Sequence, residues 1–274
     1  MTDRTDVPAG IVLADSATKL GADASGSVIV TGSHGARYAA YLTLRAHPRA
    51  VVHNDAGIGL DDAGIAVLDM AQRLGVAAAT ASHATCRIGD AGDTMRRGTV
   101  SRVNALAAGL GVRERMGCRE AAGLLLAATA SGRDPEAITE ARRVLREPGW
   151  KKAIALIDSA SLVTPDDVGQ IVVTASHGGL IGGNPRLAIQ VDCLAAVYSD
   201  AGVGIEDAGI SRLPALDSRG IAGVTVSAAS ARIGEAASIF EQGLISFANE
   251  TARRLGAVPG EPLRQCIVRW AETF

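Results

Sequence analysis

The chain contains very little lysine and few aromatic residues. Only three of its 274 residues are lysine, and phenylalanine, tyrosine and tryptophan together make up 3%. Schiff-base chemistry and Walker-type phosphate loops both require a placed lysine, and the three lysines stand outside the repeated motifs described below, which argues against both. The scarcity of aromatic rings argues against stacking platforms for nucleobases or flavins. No organic cofactor is therefore expected, and a divalent metal stays open.

Charge, cysteine spacing and hydropathy set further limits. The net charge is −2, so the sequence shows no electrostatic footprint for nucleic acid or an anionic membrane. The four cysteines include no C-x-x-C pair, which favours a reducing compartment and gives no zinc signature. Residues 1–9 are polar and the apolar stretch at 123–127 is short, so neither a signal peptide nor a membrane span is expected. We expect a soluble cytoplasmic protein with a small-molecule substrate; a homo-oligomer stays open.

An internal repeat organises the sequence. The β-branched run at 28–35 ends in Ser-His-Gly and returns at 171–178, an offset of 143 residues. The Asp-Ala-Gly motif at 54–65 returns at 199–210, where the offset is 145. Later Arg-Ile-Gly and Asn positions keep the second offset. These matches predict a tandem duplication of a unit of roughly 110 residues.

The repeated unit predicts an α/β fold. Apolar strand segments alternate with helical patterns, which favours βαβ units with a mostly parallel, Rossmann-like sheet. We expect two lobes related by a pseudo-two-fold axis and joined by a helical segment, with boundaries at 1–117, 118–150 and 151–274. The predicted helices span 37–46, 65–74, 94–110, 118–130, 135–145, 187–192 and 239–255.

Every repeated polar motif follows a predicted strand, and ligands in open parallel sheets bind at the carboxyl ends of the strands. Histidine titrates near neutrality, aspartate can orient it or act as a base, glycine admits close backbone approach, and arginine forks fit carboxylates or phosphates. The candidate catalytic residues are Ser33, His34, Asp55, Ser176, His177 and Asp200. The candidate substrate-binding residues are Gly35, Ser82, Arg87, Asn104, Gly178, Gly179, Ser227, Arg232 and Asn249.

The same residues also have structural interpretations. Asp-Ala-Gly segments are common turns, and the serines of the Ser-His-Gly motifs can cap a following helix. The two arginines can pair with Asp90 and Glu235 or hold the lobes together. The two asparagines are predicted inside helices, where they can bind backbone groups. Cys86 is either a low-pKa thiol beside Arg87 or a buried structural residue.

Three functions follow from this pattern. The first is an enzyme, a hydrolase of a small carboxylated or amide-bearing metabolite such as an amide or lactam; a metal-assisted form would use the histidines and aspartates of the two copies as ligands. The second is a racemase or other isomerase with one acid/base from each lobe. The third is a non-catalytic protein that binds a small anion. The G-x-S-x-G, G-x-G-x-x-G and H-E-x-x-H motifs are all absent.

Overall fold

The structure is a computed structural model, and it describes residues 7–274. Residues 1–6, at the start of the predicted first lobe and of the polar segment at 1–9, lie outside the described residues. Within the described residues the strands form two mixed sheets of mostly parallel strands, one of five and one of six, so the fold is α/β with two lobes. None of the helices in this range is long and apolar enough to cross a membrane.

The first lobe takes its elements from the first half of the chain. Its strands are β1 (Ile11–Ala14), β2 (Val28–His34), β3 (Ala50–Asn54), β4 (Ala77–Ala81) and β5 (Val100–Val103). Its helices are α1 (Arg37–Leu44), α2 (Val67–Leu74), α3 (Ala91–Arg97), α4 (Ala105–Gly109) and α5 (Cys118–Leu125).

The second lobe has much of this order, with one extra strand at its edge and with short 3₁₀ turns in the place that corresponds to α1. Its strands are β6 (Arg142–Leu145), β7 (Ile154–Ile157), β8 (Ile171–His177), β9 (Ala195–Ser199), β10 (Ala222–Val226) and β11 (Ile245–Ala248). Its helices are α6 (Arg212–Asp217), α7 (Ala236–Gln242), α8 (Glu250–Arg254) and α9 (Leu263–Thr273).

Strand order is sequential in both sheets. Strands β1 to β4 are parallel neighbours and β5 joins β4 antiparallel; β7 to β10 are parallel neighbours, with β6 and β11 antiparallel at the two edges. Strands β2 and β8 therefore each lie between two parallel neighbours, and each strand ends at a histidine.

Helices cover both faces of each sheet, because alternate residues of a strand point to opposite faces. In β2, Val28 and Val30 pack in a cluster that includes Leu125 of α5, whereas Ile29 packs in a second cluster with Leu44 of α1. All five side chains are almost fully buried. Continuous apolar strands are typical of parallel sheets buried on both faces, which is why β2 shows no polar alternation.

The long helices predicted at 94–110 and 239–255 are wrong. In the first lobe Gly98 ends α3, since its N–H bonds the carbonyl of Thr94, and the chain then forms β5 against β4. The second lobe behaves in the same way, with Gly243 ending α7 before β11. The β-branched residues of these short segments satisfy their backbone groups by strand pairing instead of continuing a helix.

The helices predicted for the connection and for 187–192 are also wrong in part. Helix α5 ends at Leu125 and packs on the first sheet; residues 126–141 form no helix or strand, and β6 pairs with β7. Residues 185–187 form a single 3₁₀ turn, after which the chain is irregular up to β9. The side chain of Arg212 donates to the carbonyls of Leu187 and Ala188, so these carbonyls do not form the hydrogen bonds of a helix.

The two lobes meet through their Asp-Ala-Gly loops. A Cβ atom built on Gly57 would lie 2.8 Å from the Cα atom of Gly202, so the two backbones touch. The N–H of Leu60 donates to the carbonyl of Ala228 at 2.8 Å, and the N–H of Ile205 donates to the carbonyl of His83 in the first lobe at 2.9 Å. This contact fixes the distance between the strand ends on either side.

Candidate functional site

Both Ser-His-Gly turns open into one cleft of about 180 Å³ between the lobes. His34 comes from the end of β2 and His177 from the end of β8, and their ring centroids are 6.1 Å apart with the rings nearly perpendicular, at 82°. Ser33 and Ser176 line the same cleft. The four motif side chains of the two lobes therefore share one site.

The turn after each histidine fixes its tautomer. The N–H of Ala36 donates to Nδ1 of His34 at 3.3 Å, and the N–H of Gly179 donates to Nδ1 of His177 at 3.2 Å. A neutral imidazole that accepts at Nδ1 carries its hydrogen on Nε2. Each ring is therefore a hydrogen-bond donor through Nε2.

Burial keeps both rings neutral. Desolvation, followed by the nearby imidazole of His53, lowers the pKa of His34 to about 4. Desolvation, the guanidinium of Arg212 and then His34 hold the pKa of His177 well below its usual value of 6.5. At neutral pH the cleft therefore contains two uncharged N–H donors with fixed orientation.

A third histidine supports the first-lobe turn from behind. His53, fully buried on β3, has Nδ1 3.0 Å from the carbonyl of His34 and Nε2 3.0 Å from the hydroxyl of Thr43 on α1. Donation from Nδ1 to the carbonyl makes Nε2 an acceptor, so the single hydroxyl hydrogen of Thr43 is shared between this nitrogen and the carbonyl of Ala40, 2.9 Å away. The second lobe has Tyr198 at this position, whose hydroxyl donates to the carbonyl of Ala188 at 2.7 Å.

The serines hold the cleft walls together. Oγ of Ser33 accepts from the N–H of Ala17 at 2.9 Å, and Oγ of Ser176 accepts from the N–H of Ala160 at 2.9 Å. Each bond ties the end of β2 or β8 to the 3₁₀ turn that follows the neighbouring strand, β1 or β7. Because the oxygen accepts in this bond, the hydroxyl hydrogen is left to donate to another group.

Arg212 forms part of the second-lobe wall and is only 2% exposed. Its Nε donates to the carbonyl of Gly179 at 3.0 Å and its Nη1 to the carbonyls of Leu187 and Ala188. The guanidinium carbon lies 4.8 Å from the ring centroid of Tyr198, a cation–π distance. Burial lowers the pKa of this arginine from its usual value, which reflects the strong desolvation of its charge.

Glu140 lies in the cleft on the segment that joins the two lobes. Burial raises the pKa of its carboxyl above the usual value, against hydrogen bonds from Ser159 and Tyr38 that lower it. Its Oε1 atom is buried without a hydrogen-bond partner. By contrast, Asp158 in the same cleft accepts from two backbone N–H groups, at 2.8 and 2.9 Å.

Asp55 and Asp200 do not line the cleft. The carboxylate of Asp55 accepts from the backbone and ring N–H groups of His83, at 2.9 and 2.8 Å, and that of Asp200 accepts from the N–H groups of Gly202 and Ala228. Burial raises the pKa of Asp55, but the hydrogen bonds from His83 outweigh it and the net shift is downward. Both carboxylates shape the loops of the lobe contact.

The repeated arginines cross the contact between the lobes. Arg87 pairs with Glu206 of the second lobe, and Arg232 pairs with Asp61 of the first lobe at 2.6 Å. Arg232 also pairs with Glu235 at 2.8 Å. Neither guanidinium lines the cleft.

The asparagines are helix caps, and the prediction that they lie inside helices is wrong. Oδ1 of Asn104 accepts from Ala107, which caps α4, and from Ala78 of β4, while Nδ2 donates to Val76. Asn249 caps α8 and bonds the matching groups of the second lobe. These side chains join a helix start to a strand inside each core.

The remaining predicted residues form bonds within their own turns. The N–H groups of Gly35 and Gly178 donate to backbone carbonyls, and that of Gly179 donates to the imidazole described above. The hydroxyl oxygens of Ser82 and Ser227 each accept from a backbone N–H two residues on. A ligand in the cleft therefore meets side-chain donors, because these backbone amides are occupied.

The described residues contain no group of three or more His, Cys, Asp or Glu side chains that could hold a metal ion. A metal at Nε2 of either cleft histidine would require the ring hydrogen to move to Nδ1 and the backbone bond there to break. The metal-assisted hypothesis therefore has no ready ligand set in this part of the chain.

Comparisons with protein-family models, with curated proteins and with solved structures yield no match. The site must therefore be interpreted from its own chemistry. Two of its side chains, Arg212 and Glu140, were not predicted from the sequence. At the repeat offset Arg212 stands opposite Val67, so an arginine in place of a core valine was the available signal. Glu140 has no counterpart in a repeat and gave no such signal.

Proposed function

We propose that the protein is an enzyme that hydrolyses a small amide or lactam in the cleft between its two lobes. One observation carries the proposal: the imidazoles of His34 and His177, contributed by different sheets, meet at 6.1 Å as neutral Nε2–H donors in a desolvated cleft. Fixed donors in a site of low polarity stabilise the negative charge that develops on a carbonyl oxygen during acyl transfer.

Glu140 is the proposed general base. Its raised pKa and its buried, unpartnered Oε1 are suited to accepting a proton from a water molecule near neutral pH. The water oxygen bonds to the carbonyl carbon while the carbonyl oxygen takes the charge between the two imidazoles. The carbon–nitrogen bond then breaks, and the leaving nitrogen takes the proton from Glu140. Ser33 and Ser176 are proposed to orient the amide through their free hydroxyl hydrogens.

The test is a panel of small amides and lactams assayed with the purified protein. Glu140→Gln should lower kcat by about 10²- to 10⁴-fold, the usual contribution of a general base. His34→Ala and His177→Ala should each lower it by about 10²- to 10³-fold, as expected for an oxyanion donor. Glu136→Gln is the matched control, since Glu136 is an exposed glutamate on the same segment outside the cleft. No turnover across the panel, or equal effects of the two glutamate substitutions, contradicts the proposal.

An isomerase with one acid/base from each lobe is the second candidate, since one histidine does come from each lobe. It is the weaker candidate because the nitrogen that could take up a proton, Nδ1, already accepts a backbone hydrogen bond in both rings. Exchange of a substrate carbon-bound hydrogen for deuterium in heavy water would favour it. Thermal stabilisation by small anions without turnover would instead support a binding protein.

The origin of the cleft is part of the proposal. Matched hydrogen bonds at matched positions, such as those of the two motif serines, support a tandem duplication with Rossmann-like halves related by a pseudo-two-fold axis. The four cysteines are free and buried, which agrees with a reducing cytoplasmic setting.

A further inference from the structure

Arg212 is a buried cation without an acidic partner. Among the described residues no carboxylate forms an ion pair with it: Nε and Nη1 donate to backbone carbonyls, and the phenol of Tyr198 is a further, uncharged partner. None of the bonds to carbonyls uses Nη2. The side chain lines the cleft while being 2% exposed, so its charge is held away from bulk water at the wall of a cavity.

Such a charge is expensive unless an anion compensates it. Buried ionised groups are normally paired, and a guanidinium held only by neutral carbonyls and an aromatic face keeps most of its desolvation penalty. Nε and Nη1 of Arg212 are occupied by carbonyls, so Nη2 is the nitrogen that these bonds leave to donate to a ligand. A charge-assisted hydrogen bond from a guanidinium to a carboxylate oxygen is among the stronger hydrogen bonds in proteins. A cavity beside an uncompensated arginine is therefore suited to an anionic ligand.

The other charged groups of the cleft do not neutralise Arg212. Asp158 is occupied by the two backbone N–H groups described above. Glu140 bonds Tyr38 and Ser159, and Lys19 is exposed at the cleft margin. The two imidazoles are uncharged near neutral pH. Arg212 is thus the buried positive charge that a ligand meets in this cleft.

The charge also lies on one wall only. At the matching position of the first lobe stands Val67, whose N–H donates to the carbonyl of Gly35 at 2.8 Å, just as the N–H of Arg212 donates to the carbonyl of Gly178 at 2.8 Å. The backbone of the two walls is alike, but Val67 packs into the apolar core beside α1. The end of the cleft that is suited to an anionic ligand therefore lies in the second lobe.

We propose that Arg212 binds the carboxylate of a small monocarboxylate ligand, with Nε2–H of His177 as the adjacent donor, so that the rest of the ligand extends towards His34. The substrate class is then an amide or lactam that carries a carboxylate. The placement of the reacting amide rests on the proposed hydrolysis; the carboxylate anchor does not.

A matched pair of ligands tests the anchor directly. The probes are 2-pyrrolidone-5-carboxylate and 2-pyrrolidone, which share a lactam ring and differ in the carboxylate, with acetate as a carboxylate without the ring. Calorimetry on the full chain should show at least tenfold tighter binding of the carboxylate lactam than of the neutral lactam. Arg212→Met should weaken carboxylate binding by about 10- to 100-fold, the loss expected for a charge-assisted hydrogen-bond pair, and leave neutral lactam binding unchanged. Arg212→Lys should fall between.

Arg219→Met is the matched control variant. Arg219 lies just beyond α6, donates to the carbonyl of Ile189 in the same irregular segment and pairs with Asp192, but it does not line the cleft. Its replacement should leave the affinity for every probe unchanged. An equal loss in both variants would overturn the assignment, because disruption of the segment would then explain it.

The wild-type protein provides a measurement that does not depend on the folding of a variant. In protein with ¹⁵N-labelled arginine, one side-chain Nε–H signal, missing from Arg212→Lys, should shift on addition of the carboxylate lactam and stay in place on addition of 2-pyrrolidone. Equal shifts with both probes, or no arginine shift with either carboxylate, would overturn the anchor. Carboxylate binding without turnover would support the anchor and contradict the proposed hydrolysis. Turnover of neutral amides, with equal affinity for the carboxylate lactam and the neutral lactam, would support the hydrolysis and contradict the anchor.

Discussion

Replacing Gly57 by alanine should push the two lobes apart. Gly57 has φ +75°, and a Cβ atom there would lie 2.8 Å from Cα and 3.0 Å from N of Gly202. Carbon atoms pack at about 3.5–4.0 Å, so the two loops must separate by about 1 Å. Both partners are backbone, and no side-chain rotation can relieve the contact.

The magnitude follows from two contributions. An L-residue in the left-handed region costs about 1–2 kcal/mol. Overpacking a rigid contact costs about 1–3 kcal/mol more, so Gly57→Ala should destabilise the protein by about 2–5 kcal/mol. Gly220→Ala is the control, because Gly220 has φ +68° and no atom within 4 Å of the new Cβ. That substitution should cost only the conformational part, about 1–2 kcal/mol.

Urea unfolding of the two variants and the wild type measures the difference, and the affinity for 2-pyrrolidone-5-carboxylate reports on the cleft. Gly57→Ala should weaken carboxylate binding, because the histidines of the two lobes move apart, whereas Gly220→Ala should not. Equal losses of stability in the two variants, with unchanged affinity in both, would refute the claim that the backbone contact at Gly57 sets the distance between the lobes.

Three further predictions concern the cores and loops. Hydrogen bonding to Asp55 raises the pKa of His83 above 6.5, so the protonated imidazole stabilises the fold fully below pH 6.5, and this stabilisation is lost as pH rises through the raised pKa. The pKa of Asp55 is lowered, so its carboxylate stabilises the fold above about pH 3.8, and this stabilisation is lost as pH falls through the lowered pKa. His83→Gln should remove the alkaline part of this dependence in urea unfolding at stepped pH. Asn104→Ala should cost about 2–4 kcal/mol, since it removes a cap and leaves buried backbone groups unsatisfied, with no change in ligand affinity. All four cysteines are buried, and burial raises the pKa of Cys86 to about 11, so the native protein should react with iodoacetamide far more slowly at pH 8 than the unfolded chain.

Each of these has a clear contrary result. A stability profile that is the same in wild type and His83→Gln removes the role of the imidazole. Loss of ligand affinity in Asn104→Ala, at unchanged stability, would place that side chain in the binding machinery. Rapid labelling of one thiol in the native protein would identify a reactive cysteine.

The parts of the fold that could be predicted from the sequence are those that depend on the pattern of residues close together in the chain. The continuous β-branched run of 28–31 is typical of a strand in a sheet buried on both faces, and the repeat of that run predicted a second sheet. The convergence of polar motifs at strand ends followed from parallel strand direction. This rule correctly predicted that the two Ser-His turns lie at strand ends. Whether the two turns face each other depends on the contact between the lobes.

The rest depended on partners distant in sequence. The four residues of β5 become a strand because β4 offers them an unpaired edge, which nothing within 94–110 indicates. Asp55 is a residue type that often acts as a catalytic base, yet its carboxylate accepts hydrogen bonds from the N–H groups of His83, 28 residues later. A binding role for Arg212 could not be predicted from the sequence, because it depends on neighbours that are carbonyls and an aromatic ring instead of acids.

The division of the two sheets between the halves of the chain has a consequence for synthesis. Among residues 7–274, the first sheet and its covering helices are complete at Leu125, before any strand of the second sheet begins. Chains emerge from the ribosome from the N-terminus at about 5–20 residues per second, so the first lobe can fold while the second is still being translated. The cleft needs His177 and Arg212, so it cannot form before both have been synthesised, and a chain truncated before them presents the His34 turn without the second wall of the cleft.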